Sequence, residues 1–324
     1  MVERRTLVVL CLPALALASL VAAVTVGSVA MSPAELWAAL LGDGQPLHQT
    51  LVWELRLPRA LAAFATGGLL ALAGALMQVL LRNPLADPYV LGLSGGAAVG
   101  ALGALSLGLA AWWVSGAAFI GALVSALLVF GLAGLATRGA GERLLLTGVV
   151  LAAGWSALVS VLLVIGPTER LPGMLYWLMG DLSHAGTPWP ALLLLGVAVL
   201  LAWPAGRTLN VLARGALPAA ALGVAVRPVE RLLYLSASLL TAVAVTTAGT
   251  VGFVGLVVPH LMRLLIGNDQ RWILPTAAVA GGTLLTAADT LARTVVAPEQ
   301  LPVGVLTALI GVPTFLWLLV RRRT

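Results

Sequence analysis

The sequence predicts an all-α integral membrane protein, and three observations carry that class. Hydrophobic residues fill 60% of its 324 positions and the mean hydropathy is +1.06, well beyond a soluble domain. The apolar residues come in long runs of Leu, Ala, Val and Gly rather than in the roughly ten-residue alternating segments of a membrane barrel. Charged residues amount to 9% and gather between the runs. Helices follow, because in a bilayer only a helix or a closed barrel satisfies its own backbone.

The first run starts behind Arg4 and Arg5 and contains Cys11. A basic start with small residues at its end has the features of a cleaved leader. Its apolar part exceeds the roughly 7–15 residues of a signal core, so it reads as a retained span. Cys11, the single cysteine, allows no internal disulfide and reads as a small core residue. Nine further runs lie near residues 59–81, 89–109, 116–136, 144–166, 188–206, 232–248, 250–266, 272–292 and 302–320, making ten spans in one domain covering residues 1–324.

All 18 basic residues are arginine. With both termini cytoplasmic, fourteen of them fall inside and four, Arg56, Arg59, Arg170 and Arg293, outside, as the positive-inside rule requires. The four either snorkel from span ends to lipid headgroups or, for Arg56, Arg59 and Arg293, form an outward-facing cationic rim that attracts an acidic soluble partner. Most tryptophans fall near the two interfaces; Trp155 alone sits in mid-span, as packing or as part of a pathway. The absence of lysine excludes a phosphate-binding loop, so any ATP is hydrolysed by another subunit. No basic stripe with interleaved aromatics points to nucleic acid.

The spans hold few ionisable groups: Asp289 near one outer end and Asp87 after the sequence RNPLA. An ion-coupled secondary transporter, the alternative class, needs more buried relays than this. A membrane-embedded enzyme needs a polar constellation at depth, whereas His48, His184 and His260 lie in separate segments. No catalytic, cofactor or metal residues are assigned. In GTVGFVGLVVPHLMRLLIGNDQR, from Gly249 to Arg271, Gly249, Gly252 and Gly255 recur every third residue and predict a bare helix face for close packing. Pro259 and Arg263 predict a helix that bends and surfaces near His260, with His260 as a local hydrogen-bonding or capping group.

That stretch resembles a signature of the permease family serving ABC importers of iron–siderophore chelates, haem and cobalamin. RLPRALAAFATGGLLALAGALMQVLLRNPLADPYVLGLSGGAAVG from Arg56, YWLMGDL from Tyr176, ALGV from Ala221 and LPVGVLTALIGVPTFLWLL from Leu301 extend the match in the same order. The resemblance implies ten helices per subunit with an inverted repeat of helices 2–5 and 7–10. It further implies two copies around a central path in the inner membrane, a partner ATPase in two copies, and a periplasmic or lipoprotein substrate-binding protein. It puts helix 5 on the path, hence Thr147, Gly154, Trp155, Ser156 and Ser160. The inner constriction falls at Asn83, Leu85 and the loop from Arg138 to Arg143. Residues 207–231 become the loop that couples to the ATPase, with Arg214, Gly215, Ala221, Leu222 and Gly223 at its centre, although Ala216, Leu217 and Pro218 stand where the family tends to be acidic. Arg56, Arg59 and Arg293 match arginines that dock the binding protein. The expected cargo is a bulky chelate, an iron–siderophore first and cobalamin or haem next.

Overall fold

The computed structural model describes residues 2–27, 29, 31–133 and 140–321, and every regular element among them is helical. In chain order the α-helices are α1 (Val2–Thr25), α2 (Pro33–Leu41), α3 (Pro46–Thr50), α4 (Leu57–Leu80), α5 (Leu93–Ser106), α6 (Ala111–Ala133) and α7 (Ala140–Ile165). They continue as α8 (Leu171–Met179), α9 (Trp189–Leu212), α10 (Ala216–Ala221), α11 (Val226–Ala248), α12 (Val254–Ile266), α13 (Gln270–Ala292) and α14 (Val303–Arg321). A π-helical turn, Leu51–Arg56, joins α3 to α4 in one continuous rod. Six helical stretches are long and apolar enough to cross a membrane, and Leu93–Ser106, Val254–Ile266 and Val303–Leu318 are shorter apolar helices.

Helix α4 is the axis of the molecule. Every residue from 65 to 80 is buried, as a helix that is apolar all round requires. It packs against α13, α11, α12 and α9. Lipid is as apolar as leucine, so this association comes from backbone proximity and dispersion rather than from water exclusion. Glycines supply the proximity: a Cβ on Gly67 would stand 2.2 Å from Gly281 O, and one on Gly74 would stand 1.9 Å from Gly255 O. A second cluster, α5 on α6, uses the same device, Gly96 against Gly121.

The predicted glycine-faced helix from residue 250 is not what forms. Helix α11 stops at Ala248, Gly249 takes φ +66°, and α12 starts only after Phe253, itself at φ +68°. Gly249 and Gly252 therefore lie in a break, and of the three only Gly255 faces a neighbour from within a helix. The break is stitched to its surroundings. Thr250 Oγ1 donates to Leu178 O, Val251 N donates to Tyr89 Oη (3.2 Å), and Asp181 N donates to Ala248 O (2.8 Å). Irregular backbone at this depth survives only where protein partners satisfy it. Helix α12 then runs unbroken through Pro259 to Ile266, with His260 and Met262 buried.

Two further expectations change. Residues 207–231 are not one loop: α9 continues to Leu212 and α11 begins at Val226, leaving α10 as a six-residue helix on two short joints. Cys11 is exposed on α1 rather than packed in the core.

Candidate functional site

Two polar clusters mark the ends of α4. At its start, Arg59 Nε and Nη2 donate to Asp289 on α13 at 2.8–3.1 Å, and Arg59 Nη1 donates to Gln300 Oε1 (2.8 Å). Arg293 Nε lies 3.3 Å from Oδ2 of the same Asp289, an oxygen that also accepts from Arg59 Nε, and Asp289 is 1% exposed. Arg56 and Arg293 close off α1. The last carbonyls of a helix have no intrahelical donor; Arg293 Nη2 serves Ala23 O, while Arg56 donates to Val24 O, Thr25 O and Val29 O. Arg170 does the same for α5 through Leu105 O and Ser106 O. Cations at helix C-termini also oppose the macrodipole favourably.

The expected exposed rim is thus corrected. Arg56, Arg59 and Arg293 do converge, but Arg56 and Arg293 are buried and Arg59 nearly so. Guanidinium groups bury this readily when carbonyls and a carboxylate take up their donors. They line a cavity of about 280 Å³ together with Glu54, Ser183 and Gln300. Asp289, passed over as an isolated span-end acid, is the centre of the cluster. Its spacing of four residues before Arg293 was the available signal.

At the other end of α4, Gln78 ties that helix to α12 and to the turn that follows α4. Its amide donates to Leu256 O (3.2 Å) and Ala86 O (3.4 Å), and its Oε1 accepts from Arg263 Nη2 (2.6 Å). Arg82 pairs with Glu230 at 2.7 Å. Asp269 caps α13, accepting from Arg271 and from Asn210 Nδ2 (2.7 Å). The hydrogen bond from Arg271, above all, holds the Asp269 carboxyl down at about 2. Gln78, Arg82, Asn210, Arg214, Arg263 and Asp269 line a cavity of about 680 Å³. Beside it stands α10, between Gly215 (φ +129°) and Gly223 (φ +80°). Both angles favour glycine. Its apolar Leu217 and the adjoining Leu222 are 80% and 72% exposed, and Ala221 is exposed with them.

The gate and path positions divide. Asn83 Oδ1 accepts from Leu85 N (2.9 Å), shaping the turn after α4, and Leu85 is exposed. Arg143 lies exposed in the first turn of α7, and Arg138 lies outside the described residues. Helix α7 is exposed along most of its length: Gly154, Ser156 and Ser160 face outward, Thr147 is half-buried, and Ser160 Oγ donates to Ser156 O (2.9 Å). Trp155 does not join them. It turns into the subunit against Gly95 and donates from Nε1 to Ser125 Oγ at 3.0 Å. The sequence reading missed a cavity of about 570 Å³ where α8, the break and α14 meet, lined by Met179, Thr250, Val305, Leu309 and Pro313. The small residues and proline of LPVGVLTALIGVPTF were its signal. Among the described residues no group of three or more His, Cys, Asp or Glu side chains is placed to hold a metal ion.

Comparisons with known proteins bear on this arrangement. The model of the FecCD transport family matches residues 15–321. The cobalamin import system permease protein BtuC of Halobacterium salinarum is 44% identical over 291 residues, covering 87% of this chain and 77% of the relative. The hemin transport system permease protein HmuU of Yersinia pestis is 42% identical over 308 residues, covering 92% and 90%. A solved metal-chelate type ABC transporter in an inward-facing conformation superposes with a TM-score of 0.84 at 31% identity, covering 96% of this chain and 98% of that one.

Proposed function

The chain belongs to the FecCD transport family, and from that premise we propose that it carries a bulky metal chelate from the periplasmic to the cytoplasmic side of an inner membrane. The observation that carries this reading is the family match over residues 15–321. As a permease subunit of an ABC importer it works with an ATPase and a substrate-binding protein. Relatives named for cobalamin and for hemin make metal–tetrapyrroles, beside ferric siderophores, the chelates to assay.

Two identical copies enclose the path in this reading, their exposed α7 faces and the α8–α14 cavities turned inward. Gly154, Ser156 and Ser160 offer small side chains that let a large solute pass without holding it. Helix α10 is the coupling element. Its exposed Leu217 and Leu222 form an apolar knob for a groove of the ATPase, as contiguous exposed apolar surface on a small element commonly does. The glycine joints at both ends let the helix be displaced as a unit when two ATPase subunits close on ATP. Asn83, Leu85 and Arg143 lie toward the cytoplasmic closure, since the arginine bias puts both termini on that side. The binding protein meets the opposite face, where an acidic side chain entering the 280 Å³ cavity reaches Arg59.

The test is uptake into proteoliposomes holding the permease, its ATPase and its binding protein, with hemin, cobalamin and a ferric siderophore offered separately. ATP-dependent accumulation of one of them is expected, abolished when the ATPase is left out. Accumulation against a gradient without the ATPase overturns the assignment. Leu217→Asp is expected to leave the permease folded but to uncouple uptake from ATP hydrolysis.

A further inference from the structure

Helices α1, α9 and α13 leave an apolar cleft of about 220 Å³ between them, lined chiefly by Val9, Leu12, Trp203, Trp272 and Val279, with Arg271 at its edge. Beside it α9 meets α13 closely: a Cβ on Gly206 would stand 2.8 Å from Arg271 Cγ. The mouth is cationic and aromatic. The Arg5 guanidinium stands 4.9 Å from the centre of the Trp272 ring, Trp203 is 56% exposed, and the Arg271 side chain is 43% exposed while gripping Asp269. Arg4 and Arg207, also exposed, stand on the same two flanking helices. The facing acid is Asp269, and Arg271 already neutralises it.

We propose that this cleft is a binding site for one anionic phospholipid, its acyl chain lying along Leu12 and Val279 and its phosphate between Arg5 and Arg271. Charge complementarity selects the occupant. Two of the helices that frame it, α1 and α9, are long and apolar enough to cross a bilayer, so an acyl chain reaches it. The excess of arginine at one end then prefers a headgroup of net negative charge. Tryptophans flanking the mouth belong at headgroup depth. The lipid fills the gap between α1 and α13 and so fastens the first helix to the bundle.

Native mass spectrometry of the purified chain, titrated with phosphatidylglycerol or phosphatidylcholine, tests this. Each arginine near an anionic headgroup changes affinity by about fivefold. Phosphatidylglycerol should therefore be retained roughly twentyfold more tightly than phosphatidylcholine, and Arg5→Gln should reduce that preference about fivefold. Val9→Trp, which fills the cleft and leaves the charges in place, should lower retention of phosphatidylglycerol by a comparable factor. Equal retention of the two lipids overturns the site, as does an Arg5→Gln protein with unchanged preference. Displacement of the lipid by millimolar inorganic phosphate would show a free-anion site that ignores the apolar cleft, and would overturn the proposal equally.

Discussion

The two ends of α4 solve the same problem, an arginine beside a membrane-embedded helix, in opposite ways. At the Arg59 end, Asp289 pairs with two guanidinium groups in a largely buried cluster, and a third, on Arg56, is spent on the carbonyls of α1. At the Gln78 end, Arg263 meets a neutral amide at the wall of a 680 Å³ cavity, and the nearby ion pairs are partly exposed. The first end is locked by charges paired in a largely buried cluster that meets the 280 Å³ cavity at Arg59. The second is held by bonds at the wall of a cavity that water can enter, beside the short helix α10.

Breaking the locked end should cost most. Asp289→Ala leaves Arg59 and Arg293 buried together without their carboxylate, and loss of one member of a buried charge cluster costs about 3–5 kcal/mol. A collapse of the thermal midpoint in detergent, with little folded protein recovered, is the expected outcome. At the open end, Gln78→Leu removes an acceptor and two donor bonds. Arg263 can turn into the cavity, so the loss should stay near 1–2 kcal/mol, read as a modest midpoint shift. If the two variants proved equally destabilising, the contrast between the ends would fail.

A pH series sharpens the same contrast. The folded-state value of Asp269, about 2, lies below its ordinary 3.8, so its contribution to stability is complete above the ordinary value and disappears as pH falls through the folded one. The wild-type midpoint should decline between about pH 4 and pH 2 more steeply than that of Asp269→Asn. The smallest effect belongs to Arg82→Ala. Its pair with Glu230 is over a third exposed on the arginine side, and such pairs contribute roughly 0–1 kcal/mol; chemical denaturation should barely separate this variant from wild type.

Much of this was legible in the chain. The positions of the long helices follow from runs of apolar residues, because a bilayer admits little else. The family match confirmed the class that the motifs indicated. The break at residues 249–253 was not legible. A glycine every third residue fits both a packed helix face and an interrupted one, and the outcome depends on donors and acceptors from Leu178, Tyr89 and Asp181 that lie far away in sequence. Trp155 was ambiguous for a similar reason, since only the neighbouring Gly95 and Ser125 determine which way its ring turns.

By itself, the amino-acid sequence determined that this protein lives in a membrane as a helical bundle, that it hydrolyses no nucleotide through a lysine-bearing phosphate loop, and which permease family it resembles. Those are consequences of composition, spacing and motif order. Only the tertiary structure decided that the arginines at one end are buried around Asp289 rather than presented as a rim, and that Gln78 ties α4 to α12 at the other. Side-chain partners in a bundle come from helices more than a hundred residues apart, and no local pattern records how those helices meet.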